Sequence, residues 1–597
     1  MHSELVVLCL ENPDSEDLNI VKLAEYLGLS CSIICLKDSQ EPLIPIRKYL
    51  KNTNDIFITV RCQTLSSAFQ QTKHVDELKD LLFEKIAYLF IFDIQPGESS
   101  NVVLPLITSD TVNSVSRFTN NNFEYKVSQN VKEIARELSG IKFGPINDAI
   151  DFKFDIGSKY KDKKIEKIIS IDNESFFISF KEKNCKIFLV ATSKIIDIDS
   201  YIGKTDNLKN YFSQFIPPMM FLKYVFKEAC WHSDDLYANF IIDDPTLKKR
   251  YGFLNYKKLL NSMYENNFAS TIAFIPWNYK RTDKTIAKLF VTEKEKLGIC
   301  IHGCNHTQSE FGTSDKGELN TMIQLAAERM STHKQLTGID FERVMVFPQG
   351  VFSLAAMRML KNNNYLAAVN STAYPIDSRF LKISDILDIA IMSHENFPLF
   401  QRRYPSDEII DFAIDAFIGK PLFIVEHHGF FKDGYAKIGK LVNQVNSISK
   451  KIKWKRLCDI LKTNYLVRKG KSGEVYCKIY SNEIIVANKY GRNKKFIIQK
   501  KETLNVPIKY VLVNKNRVKY SVNNELMEFC FELKSKEMVN VKIVYESNVA
   551  SLKSNKRIIK YFKIFCRRCM SEVRDNYICK NESLLDFVYK IRRKLLL

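Results

Sequence analysis

The feature that most narrows the fold is a run of strand-like segments between residues 226 and 465. Most are followed by a helix-like or polar stretch. YANFIID, STIAFIP, LGICIHG, RVMVFPQ, YLAAVNS and PLFIVEHH read as strands, and NYKKLLNSMYE and MIQLAAERMSTHKQL as helices between them. Repeated β–α units of this kind predict a parallel barrel or a doubly wound sheet. Polar and ionisable residues stand at the C-terminal ends of these strands: Asp243 and Asp244, His302, Gln349, Asn370, His427 and His428. In a β/α barrel that end carries the active site.

The flanking segments have a different texture. ELVVLCL, EDLNIVKLAEYLG and SCSIICL make a strand–helix–strand unit, and further strands are expected at 56–60 and 88–93. Residues 1–145 are therefore expected to form an open α/β, Rossmann-like domain. No glycine-rich phosphate loop is present, so it carries no nucleotide fingerprint. Residues 146–225 read as a small β-rich extension and linker, with Pro217 and Pro218 punctuating the chain ahead of the barrel at 226–465. Residues 466–548 alternate as EVYCKIY, EIIVAN, KFIIQK, IKYVLVN, MEFCFEL and NVKIVYE, the pattern of a β-sandwich. Residues 549–597 return to a basic helical tail.

Three pieces carry chemistry. IIDDP ends a strand with Asp243 and Asp244. IHGCNHT places His302 and His306 four residues apart. VEHHGFF ends another strand with His427 and His428. Two histidines at i and i+4 on a helical turn face one way and chelate one metal, and Asp244 completes a two-His, one-carboxylate set with open positions. The ion expected is divalent, Zn2+ foremost. It would polarise a carbonyl and acidify water. Asp243, beside the ligand, is the candidate general base, and His427 or His428 the candidate acid. Cys304, between the metal histidines, reads as filler.

This pattern resembles the NodB-type polysaccharide deacetylases, a carbohydrate esterase family, over about 240 residues. PPMMFLKYVF, CWHSDDLYANFIIDDP and RYGFLNY resemble a divergent long bacterial subgroup of it. The family runs in order T-F-D-D, H-[ST]-x-x-H, R-x-P-Y, D-x-x-[DW] and L-x-H. The resemblance implies an irregular (β/α) barrel of the polysaccharide deacetylase type. It implies Asp243 as base, Asp244, His302 and His306 as metal ligands, and His427 (or, one residue on, His428) as catalytic histidine. FPQG stands at the third motif, so Pro348, Gln349 and Gly350 are expected at the substrate, with Asn370 or Asp377 at the fourth. Three positions depart from the family: Gly303 replaces Ser/Thr, Val346 the arginine and Gln349 the tyrosine.

The expected function is a metal-dependent, deacetylase-like hydrolase removing an N- or O-acetyl group from a glycan or glycolipid precursor. The alternative is a non-catalytic glycan-binding or scaffold protein of a surface-polysaccharide pathway, built on a decayed deacetylase barrel. The intact Asp-Asp, H-x-x-x-H and His-His pieces favour the first reading, and the missing arginine and tyrosine the second. The N-terminal run of about six apolar residues followed by acids does not read as an export signal, and 14 cysteines lack framework spacing, so a cytoplasmic protein is expected. The formal net charge is +21. About nine of those charges lie beyond residue 550, among Phe562, Phe565, Phe587 and a final Leu-Leu-Leu. That composition suits either a peripheral contact with an anionic membrane surface or a helix packed on the sandwich. No nucleic-acid recognition motif accompanies the charge. Trp231 and His232 are expected to pack the start of the barrel, and Arg250 and Tyr251 to meet substrate or a loop partner.

Overall fold

The structure is a computed structural model. It describes residues 4–38, 42–50, 56–118, 122–147, 151–157, 165–503, 505–546, 558–581 and 583–584. Phe587 and the terminal leucines lie outside the described residues.

Among these residues, one 11-stranded sheet runs through both N-terminal segments. Its parallel half has the order Cys31–Cys35, Leu5–Cys9, Phe57–Arg61, Tyr88–Phe92. Cys185–Val190 then adds in parallel to Tyr88–Phe92, and antiparallel strands Glu174–Glu182 and Glu166–Ile171 follow. The sheet is thus continuous across residue 145. Every residue of Leu5–Cys9 is buried, because a central parallel strand is covered on both faces.

Pro217 and Pro218 do not break the chain. They sit inside the buried helix Phe212–Phe226. Apolar packing holds that helix despite the missing amides: Phe221 stacks on Phe90 at 4.9 Å and meets Phe188 edge-on. A continuous buried apolar cluster joins the N-terminal sheet to the outer layer of the barrel.

The barrel sheet has eight parallel strands, seven of which form the barrel wall in sequence order: Leu236–Asp243, Ser270–Phe274, Leu297–His302, Val344–Val346, Ala367–Asn370, Leu399–Gln401 and Leu422–His427, while Ile452–Trp454 pairs with the start of the first. The first pairs with the seventh. Between the sixth and seventh the ladder is reduced to Arg403, two residues past the sixth strand, which bridges Ile424 in parallel. This closes an irregular (β/α) barrel, as expected. Inward and outward side chains alternate. Ile241, Ala273, Cys300, Val344, Val346 and Phe423 fill the interior, whereas Phe240, Ile242, Ile272, Ile301, Leu422 and Ile424 pack under the helices.

The C-terminal sandwich is present as a five-stranded and a four-stranded sheet enclosing their own core. It is fastened to the barrel by a buried polar cluster. Glu502 accepts from Lys361, from Lys500 at 2.9 Å and from the Tyr545 hydroxyl at 2.6 Å. The basic tail contributes the helix Ile558–Asn576, which lies across the C-terminal mouth of the barrel. Tyr251 donates to Asp575 at 2.6 Å, the Gly252 amide donates to Asn576 at 2.9 Å, and Arg281 and Lys248 both pair with Glu572.

Candidate metal centre and active site

The strand pleat selects which end residues face inward. Asp243 shares the parity of Ile241, His302 that of Cys300, and His427 that of Phe423. Asp243 and His427 are also register partners on adjacent strands. All three line one cavity of about 550 Å³ at the mouth, with Asp244 and His306. His428 has the opposite parity. It turns to the C-terminal helix, where its Nε2 lies 3.4 Å from Asp575 and its ring stacks on Phe253.

Asp244, His302 and His306 bring one ligand atom each within 4.8 Å of one another. Asp244 Oδ1 lies 3.2 Å from His302 Nε2 and 2.9 Å from His306 Nε2. It is buried yet makes no hydrogen bond. An orphaned carboxylate oxygen facing two imidazole nitrogens fits a cation between them. The Val346 carbonyl, 3.0 Å from His302 Nδ1, accepts the proton there and leaves the Nε2 lone pair to face the cluster. Burial alone would push the Asp244 carboxyl up, but His302 and His306 outweigh it and hold it well below the usual carboxylate range. Asp244 and His306 both have positive φ, at 78° and 58°. Such backbone conformations persist only where the surroundings impose them.

What imposes the His306 conformation is not the helical turn expected from the i,i+4 spacing. His302 ends its strand, and residues 303–307 form a loop wrapped around one carboxylate. Glu310 accepts from the amides of Cys304, Asn305, His306 and Thr307 at 2.7–3.3 Å. Arg329 clamps the outside through the Cys304 carbonyl and the Asn305 side chain. Gly303 is required here. Its φ is +63°, and an added Cβ would fall 2.2 Å from Glu310 Oε1 and 2.4 Å from Pro348.

Asp243 is buried and takes a two-pronged ion pair from Arg402, with both N–H···O distances 2.7 Å. Burial raises its carboxyl, but Arg402 with His302 and His427 prevails and keeps it below its ordinary value. Arg402 follows directly after the sixth strand, Leu399–Gln401. In LFQRRY it stands at a polar strand end of the same kind as Asp243 and His302.

The expected substrate residues divide. Gln349 and Gly350 line the cavity, and Gln349 also accepts the Ser309 amide at 3.0 Å. Pro348 and Asn370 are buried behind it. The Asn370 amide is spent on the Gly350 and Thr372 carbonyls at 2.9 and 3.0 Å. Asp377 caps the helix Leu354–Asn362 through the Leu354 amide, away from the centre. Trp231 lies against Arg468 and His232 bridges Val467, both in packing roles. Arg567, Arg568, Ser571, Arg574 and Asp575 also line this cavity, and no local pattern in the chain signals it.

No family model matches the chain, and no curated protein matches it. Solved structures do. One is a crystal structure of Agd3, described as a novel carbohydrate deacetylase, at 8% identity and TM-score 0.47, covering 91% of this chain and 98% of that one. A family 4 carbohydrate esterase from Streptomyces lividans, in complex with acetate, is similar at 10% identity and TM-score 0.24, covering 37% and 92%. BA3943, a family 4 pseudoenzyme from Bacillus anthracis, is similar at 11% identity and TM-score 0.24, covering 38% and 66%. What the chain itself displays is an irregular, seven-stranded (β/α) barrel with a two-histidine, one-aspartate cluster at its C-terminal mouth.

Proposed function

We propose that the protein is a metal-dependent hydrolase that removes an acyl group, N- or O-acetyl, from a glycan or glycolipid precursor, and that it does so in the cytoplasm. The observation that carries the reading is one cavity lined by Asp244, His302 and His306, by Asp243 held on Arg402, and by His427. A divalent ion, Zn2+ foremost, would be held by Asp244, His302 and His306. When bound it would supply Lewis-acid polarisation of the acyl carbonyl and would acidify water. Asp243 takes the proton from the attacking water. Arg402 keeps that carboxylate ionised and fixes its orientation. His427, exposed on the adjoining strand, returns a proton to the departing amine or alcohol. Acyl transfer needs both steps, and these two residues stand side by side to perform them.

Metal analysis and turnover of an acetylated sugar panel test this together. Wild-type protein is expected to hold one divalent ion per chain. Asp243→Asn keeps the ion and loses about 10²–10⁴-fold in kcat. Absence of stoichiometric metal, unchanged by altering His302 or His306, would sink the reading. Metal binding with no turnover of any acylated sugar would leave the glycan-binding alternative standing.

A further inference from the structure

The C-terminal helix places three arginines on the cavity, Arg567, Arg568 and Arg574. Arg574 is engaged by Asp575 at 2.6 Å. Asp575 is itself saturated, since it also takes the Tyr251 hydroxyl and faces His428. Arg568 is different. It is 3% exposed, and its Nε and one terminal nitrogen are buried without any hydrogen-bond partner. Arg567, next to it and half-buried, has no carboxylate within ion-pair distance among the described residues. An arginine stays charged at any working pH, and burying that charge unpaired is costly. A guanidinium fork matches the paired oxygens of a phosphate or carboxylate.

We infer that Arg567 and Arg568 form an oxyanion subsite, and that the substrate is an anionic acylated sugar whose phosphate or carboxylate docks there while its acyl group lies over the metal cluster. This rests on the hydrolase reading above and names its substrate class. Neutral acylated glycans leave Arg568 unpaired, so they bind weakly. The helix acts as a selectivity rim, and its arginines lie more than 250 residues from the metal ligands in the chain.

The test uses the full chain, metal-loaded and metal-free. On the metal-free protein, calorimetry with N-acetylglucosamine, its 1-phosphate and its uronic acid, and with inorganic phosphate, separates the subsite from metal coordination. At least one charged sugar is expected to bind ten-fold or more tighter than the neutral one. Which charged sugar is preferred tells phosphate from carboxylate. Arg568→Gln abolishes the preference, and Arg568→Lys restores part of it. Equal binding of charged and neutral sugars by wild type, or a preference surviving in Arg568→Gln, overturns the proposal. The wild-type comparison decides even if a variant does not fold. Phosphate affecting every variant equally would mark an adventitious ion only and overturn it too. Charged-sugar binding without turnover by the metal-loaded protein fails the hydrolase reading alone. Turnover without charge preference fails the subsite alone.

Discussion

Gly303 shows how a single position reverses its meaning once its neighbours are known. In the motif it stands where Ser or Thr is usual. In the loop it is the residue without which the Glu310 carboxylate could not sit under four consecutive amides. The expected consequence runs against the motif. Gly303→Ser, which restores the usual residue, should weaken zinc binding at least 10-fold, because the loop carrying His306 must shift. It should also cost about 1–3 kcal/mol of stability through positive-φ strain and overlap. A chelator competition titration and a thermal melt check the two effects separately. The same lesson applies to Arg402. Val346 stands where the motif has an arginine, and the arginine that holds Asp243 lies 159 positions from it in the chain.

Elements decide what adjacency in sequence leaves open. His427 and His428 are neighbours in VEHH, and the motif allows either. The pleat of the seventh strand sends one into the cavity and the other to Asp575. The helix Ser15–Tyr26 makes a comparable point about burial. Asp14 caps it and Asp17 completes the capping box. Asp17 is buried, and one of its oxygens has no partner. Burial first, then Asp93 and Glu16, push its carboxyl up from 3.8 to about 7. The folded chain therefore holds a proton that the unfolded chain releases near pH 4. Stability is lost as pH rises from about 4 to about 7, and the loss is complete above that. Asp17→Asn keeps the cap and removes the titration. It should add about 4 kcal/mol at pH 8 and progressively less towards pH 4. Denaturant unfolding at several pH values measures this slope, and a gain independent of pH would contradict it.

At the scale of the whole molecule, the tail is part of the barrel mouth, not a helix packed on the sandwich. Its inner face reaches the cavity. Its outer face exposes Phe562, Phe565, Met570 and Tyr577 among basic residues. No described helix is long and apolar enough to cross a membrane. That outer face supports our proposal of a peripheral contact with an anionic membrane surface. Full-length protein should then co-sediment with phosphatidylglycerol vesicles and not with phosphatidylcholine vesicles. Changing Phe562 and Phe565 together to Asp should lower binding at least 10-fold. Equal sedimentation with both lipids would refute the contact.

The division between sequence and structure follows from the range over which each signal acts. Barrel strands, their alternation and the residues at their ends are local. Period-two burial and a polar residue at a strand terminus are written within a few positions, so Asp243, Asp244, His302, His306 and His427 were legible. The sandwich was legible for the same reason. Contacts between distant segments have no such periodicity. Arg402 reaches Asp243 across 159 residues, and Tyr251 reaches Asp575 across 324. The proline-bearing helix survives only because the two domains bury it. Such pairings are fixed by which surfaces pack when the chain closes, and only the tertiary structure decided them. The sequence alone determined which polar residues stand at the strand ends, and the packed chain decided what orients them and what covers them.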